Sequence, residues 1–182
     1  MSRFNKSGEP VDGVSMWGYV RCEFYRGGKL FEVQEGSNIV TDVGKNHMAN
    51  LHGGLAGALP VATVAIGDGG AGVSPVPTVV QLYSPLPFVG VDLALRHPFG
   101  LSAPIEPGAL VDSIAHSITY TAFFNSANVP TGVYLSGIPN IVNEYALMSG
   151  NGVVIALVSR PPIPFDQASA IGIRAQWTIG WS

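Results

Sequence analysis

An all-β sandwich with one short helix is the fold that this sequence predicts, and three observations predict it. The stretch "IGIRAQWTIGWS" alternates without exception. Ile171, Ile173, Ala175, Trp177, Ile179 and Trp181 fall on one face, and Gly172, Arg174, Gln176, Thr178, Gly180 and Ser182 on the other. A period of two belongs to a strand with one dry face and one wet face. Glycine (23 residues) and proline (14) recur between short apolar runs, where they act as turn signals. Asp, Glu, Lys and Arg make up only 12% of the chain, against about 25% in ordinary soluble domains, so strong helix formers are scarce.

Along the chain, residues 1–13 ("MSRFNKSGEPVDG") read as a flexible polar arm and residues 14–182 as one β-sandwich domain. The start lacks the apolar core of a secretory leader, and no apolar run approaches the ~18 residues of a membrane-spanning helix, so neither is expected. From Val14 to Tyr25 the residues alternate again. Val14, Met16, Gly18, Val20, Cys22 and Phe24 oppose Ser15, Trp17, Tyr19, Arg21, Glu23 and Tyr25. The second set contains large aromatics, which predicts a strand contacted on both faces. "RGGK" (26–29) is a tight hairpin turn, and "LFEVQE" returns antiparallel.

The period then changes. Thr41 or Asp42 caps a helix near residues 42–52, with Val43, Met48 and Leu51 apolar and Gly53-Gly54 ending it. "PVATVAIGDGG" is a buried strand entering a glycine turn, and "VVQLY" is a brief extended or helical piece. A long irregular passage follows, punctuated by Pro85, Pro87, Pro98, Pro104 and Pro107. "VDSIAHSITYTAFF" reads as one strand, with Ile114, His116, Ile118, Tyr120, Ala122 and Phe124 sharing its apolar face. "YLSGIPNIVNEYALMS" supplies one or two strands. "GVVIALVSR" supplies another after the Asn151-Gly152 turn, and "PPIPF" leads to the final strand. A regular, aromatic terminal strand is best protected inside a sheet, as in a jelly roll, because an open edge of that kind invites aggregation.

Chemistry is sparse. The "GDGGAG" loop at 67–72 ends in Val73-Ser74-Pro75, not in the Gly-Lys-Ser/Thr of a phosphate loop, and reads as a turn. His47 and His52 are five apart, about 140° around a helix, and cannot share a metal as an i, i+4 pair does. His116 is expected in the core, and His97 lies in a loop. Cys22 reads as a small buried hydrophobe, and a single cysteine permits no internal disulfide. Glu144 is the best carboxylic-acid candidate, yet with Asn143 it reads as a structural turn contact. No catalytic, cofactor-binding or metal residue is assigned, and the expectation is no enzyme and no cofactor. A net charge of −3 without a basic stripe argues against nucleic acid as a partner.

Five further pieces occur in order: "NIVTDVGKNHMANL" from Asn38, "VATVAIGDGGAGVSPVPTVVQL", "SITYTAFFNSANVP", "VNEYALMSGNGVVIALVSRPPIPF" and "IGIRAQWTIGW". Together they span about residues 38–181, and in this order the chain resembles a group of tailed-bacteriophage structural proteins. It departs from that pattern at Glu144-Tyr145-Ala146-Leu147, where many members carry Glu-Ala-Gly-Leu, and in the long insert "VGVDLALRHPFGLSAPIEPG".

The resemblance implies a virion component with a jelly-roll-like sandwich, made in the host cytoplasm. The first expectation is a capsid cement or decoration protein on the head surface, a homo-oligomer whose partner is the major capsid protein. The alternative is a tail-fibre or baseplate module that binds host glycan or another tail protein. Candidate interface residues are Arg3, Phe4 and Lys6 on the arm and Trp17, Tyr19 and Tyr25 on the first strand. Trp17, Tyr19 and Tyr134 are the candidates for stacking on sugar rings.

Overall fold

The computed structural model describes residues 15–69, 74–81, 102–126, 141–165 and 169–182. The strands are β1 (Met16–Arg26), β2 (Lys29–Ser37), β3 (Ile39–Val40), β4 (Val61–Gly67), β5 (Ser102–Pro104), β6 (Leu110–Asp112), β7 (Ser117–Asn125), β8 (Ile141–Ser149), β9 (Val154–Pro164) and β10 (Ile171–Trp181). One helix, α1 (Asp42–His52), follows β3. The strands form two five-stranded antiparallel sheets, ordered β2-β1-β10-β7-β6 and β3-β9-β8-β4-β5. This is an all-β sandwich.

β10 is central, as its pattern demands. It pairs with β1 from Met16↔Trp181 to Arg26↔Ile171 and with β7 from Gly172↔Asn125 to Gly180↔Ser117. Its alternating Ile171, Ile173, Ala175, Trp177 and Ile179 all enter the core. There they meet Val20, Cys22 and Phe24 of β1 and Val64, Ile66, Tyr145, Leu147 and Ile155 of the opposite sheet. Trp177 is fully buried, and its polar edge has a partner. Asn38, with its amide oriented to satisfy both neighbours, accepts the Trp177 indole N–H and donates to the Gly18 carbonyl at 2.8 Å. A buried indole without such an acceptor would be costly.

The β1–β2 hairpin turns at Gly27-Gly28, both at positive φ. Thr41 caps α1 by accepting from the Gly44 N–H (2.9 Å), and its hydroxyl also donates to the Val154 carbonyl (2.5 Å). The inward face of α1 is Gly44, His47 and Met48, whereas Val43 is only half-buried. Gly44 sets this rotation, because a side chain there would collide with the Ile155 backbone. The helix therefore lies directly on β9.

Three sequence expectations need correction. Residues 111–124 are not one strand. Asp112 Oδ1 accepts the Ile114 and Ala115 N–H groups (both 2.9 Å), which folds 113–116 into a turn between β6 and β7. Ile114 and His116, expected on a core face, are exposed, and His116 sits at φ +48°. "PPIPF" is not merely a connector, since β9 continues to Pro164. Prolines are tolerated there because β3 pairs with β9 only at Ala156 and Leu157, and Pro161 and Pro162 fall in the register shift opposite Asn143, where the Pro161 carbonyl accepts from Gln34 Nε2 (3.2 Å). Asn143 and Glu144 are not at a turn either. They are buried within β8, at a register shift between Val142 and Glu144.

Candidate functional site

The outer face of the β2-β1-β10-β7-β6 sheet carries the first-strand aromatics. Strand alternation puts Trp17, Tyr19, Arg21, Glu23 and Tyr25 there, beside Glu35 and Val33 of β2, Arg174, Gln176 and Thr178 of β10, and Thr119, Thr121 and Phe123 of β7. Trp17 is 39% and Tyr19 37% exposed, and Phe123 and Val33 are also exposed. The Trp17 indole lies across Gly180, its cross-strand partner, in space that a side chain at position 180 would fill. Tyr25 is only half-buried, and its hydroxyl donates to Glu23 (2.6 Å).

Charges on this face are neutralised locally. Glu23 accepts from Arg21 (3.0 Å) and Arg174 (3.3 Å), and Arg21 also pairs with Glu35 (2.6 Å). The Tyr25 hydroxyl, with Arg21 and Arg174, holds the Glu23 carboxyl below its ordinary range, against the opposing effect of burial. The Arg174 guanidinium also stands 6.0 Å from the Phe123 ring centroid. The result is a sheet face of aromatic and hydroxyl groups whose ion pairs are already satisfied.

A second feature lies at one end of the sandwich. A cleft of about 830 Å³ opens between α1, the β6–β7 hairpin and the ends of β1 and β10. Met16, Met48, Ile118 and Trp181 give it apolar walls, and His52, packed edge-on against Trp181 at 6.1 Å, adds a polar one. The cleft joins segments remote in sequence, so no local pattern announces it. Asp112-Ser113, a turn signal inside an apparently alternating strand, was the one readable clue to its hairpin wall.

The remaining candidates have structural partners. His47 bonds the Leu59 carbonyl (2.8 Å) and His52 the Met48 carbonyl (2.7 Å), so the two serve different parts of the chain. Glu144 accepts from the Gly69 N–H at 3.3 Å and ties the glycine turn after β4 to β8. Cys22 is buried, and burial pushes its thiol up to about 12. Among the described residues no group of three or more His, Cys, Asp or Glu could hold a metal, and no helix is long and apolar enough to cross a membrane. Arg3, Phe4, Lys6, His97 and Tyr134 lie outside the described residues. No family model, curated protein or solved structure matches the chain.

Proposed function

We propose that this chain is a structural protein of a tailed-bacteriophage virion, a cement or decoration subunit that binds the major capsid protein on the head surface. The observation that supports this most is the outer face carrying Trp17, Tyr19 and Phe123. Exposed aromatic side chains with internally paired charges are the composition of a protein–protein contact. Docking there removes aromatic area from water without stripping a lone charge of its partner. Repetition does the rest: many modest contacts on one lattice add to a large avidity, with no reaction required. The order of motifs from Asn38 to Trp181 supports the virion assignment, and the jelly-roll description belongs with it.

The test is the copy number of the chain in purified particles. Stoichiometry comparable to the major capsid protein is expected, whereas a few copies confined to the tail would reject the cement reading. A tail module that binds host glycan is the second reading. The specific feature favouring it is the Trp17 ring lying across Gly180 beside Tyr19, a surface on which a sugar ring can stack. Screening the purified chain against host polysaccharides separates the two, and the cement reading expects no binding.

A further inference from the structure

The β6–β7 hairpin presents the most exposed apolar side chains of the described fold. Leu110 is 69%, Val111 72% and Ile114 93% exposed. Sheet edges are normally defended by charge, proline or brevity. Edge strand β2 carries Lys29, Glu32 and Glu35, β5 ends on Pro104, and β3 has two residues. β6 is short but apolar, and the turn after it projects Ile114 outward. That tip is held in shape by the two N–H groups bonded to Asp112 Oδ1, so little order has to be gained on docking.

The same hairpin is a wall of the end cleft through Val111, Asp112 and Ser113. Projection and recess are thus neighbours on one small element, the arrangement that a two-fold axis turns into a reciprocal contact. Lys45 on the α1 wall pairs with Asp42 at 3.1 Å in an exposed ion pair, and its ammonium keeps further N–H donors for the Asp112 that a second copy's hairpin brings, with the reverse across the axis.

We propose that the chain forms a two-fold dimer in which Ile114 of each copy occupies the end cleft of the other, between α1 and the β6–β7 hairpin. The apolar walls cover Ile114, and the exposed edge of β6 lies along the dimer axis. This arrangement leaves the Trp17–Tyr19 face free. It does not depend on the virion assignment, because it concerns the purified chain alone.

The experiment is sedimentation velocity on the full chain across the micromolar range. The wild-type chain is expected to be dimeric. Ile114→Asp should weaken the dimer at least about tenfold, since it places a charge in an apolar recess. Leu110→Ser should weaken it less, and Val80→Asp, an exposed site outside the cleft, should leave it unchanged. Circular dichroism checks that each variant is folded. A second arm pairs Ile114→Cys with Ala49→Cys in one chain, where the only natural thiol is buried. Disulfide-linked dimers are expected under oxidation. A wild-type monomer, a trimer, a dimer indifferent to Ile114→Asp, or a disulfide formed only within one chain would overturn the proposal.

Discussion

The two sheets have the same number of strands and opposite outer faces. Outside the β2-β1-β10-β7-β6 sheet stand Trp17, Tyr19, Arg21, Gln176, Thr178 and Phe123, partly or largely open to water. Outside the other sheet stand Ala65, Ala146, Met148, Val154 and Leu157, all buried, with Val79 packed on them. One sheet is dry on one side, the other on one side and at the centre of its second. Buried at the centre of its outer face, that sheet offers few side chains to a partner there, so among the described residues the open sheet face is that of β2-β1-β10-β7-β6. This is the physical reason for placing the proposed contact on the Trp17 face.

The sharpest way to break the contrast is to put the same charge on both outer faces. Ala146→Asp places an unpaired carboxylate in the buried layer and should cost about 3–5 kcal/mol. Phe123→Glu lies on the open face beside Arg174 and should change stability by no more than about 0.5 kcal/mol. Urea unfolding measures both, and equal losses would erase the distinction. Trp177→Ala tests the layer that the sheets share. It should cost about 3–5 kcal/mol, and a loss below about 1 kcal/mol would mean that the ring is not core.

A smaller effect belongs to the open face. Glu23 is held below its ordinary pKa by Tyr25, Arg21 and Arg174. The folded state therefore binds this proton less readily than the unfolded chain. The stabilisation is present above the unfolded value of about 4.3 and is lost as pH falls through the lowered folded value. Glu23→Gln should flatten the fall in stability below about pH 4.3 and leave its slope near neutrality unchanged. A slope identical to wild type in the acid range would remove the role given to this network.

A further small effect lies between the sheets. The fully buried Tyr145 hydroxyl has no hydrogen-bond partner among the described residues, and burial raises its pKa well above the ordinary value. Tyr145→Phe removes a polar group that gains nothing from folding, so stability should stay level or rise by about 1 kcal/mol. A clear loss in thermal unfolding would show that the hydroxyl is satisfied.

The same contrast explains what could be read from sequence. β1, β10 and the β7 end of its segment alternate cleanly because one face is wet, and their inward residues were legible from Val20 to Phe24 and from Ile171 to Ile179. β8 is buried along nearly its whole length and carries a register shift at Asn143. "IVNEYALMS" therefore has no period to read, and Glu144 was misplaced at a turn. The 111–124 stretch failed for another reason. Alternation continued across Ser113 to His116, while the Asp112 side chain was bending the backbone beneath it. The helix start, at Thr41 or Asp42, and the Gly53 stop are legible because caps are local chemistry, and the structure gives the cap to Thr41. The face of α1 is not legible, because its rotation is set by Gly44 against Ile155, a contact more than a hundred residues away in sequence. The outward position of Trp17 and Tyr19 is legible from alternation alone. Their neighbour Phe123 is exposed beside the inward Phe124.

The proposed role is tested most directly by binding purified chain to heads that lack it and counting the copies retained. Saturation at a stoichiometry comparable to the major capsid protein is predicted, with most of that binding lost in a folded Trp17→Ala/Tyr19→Ala variant. Undiminished retention of the variant, or wild-type chain found only at the tail, would contradict it.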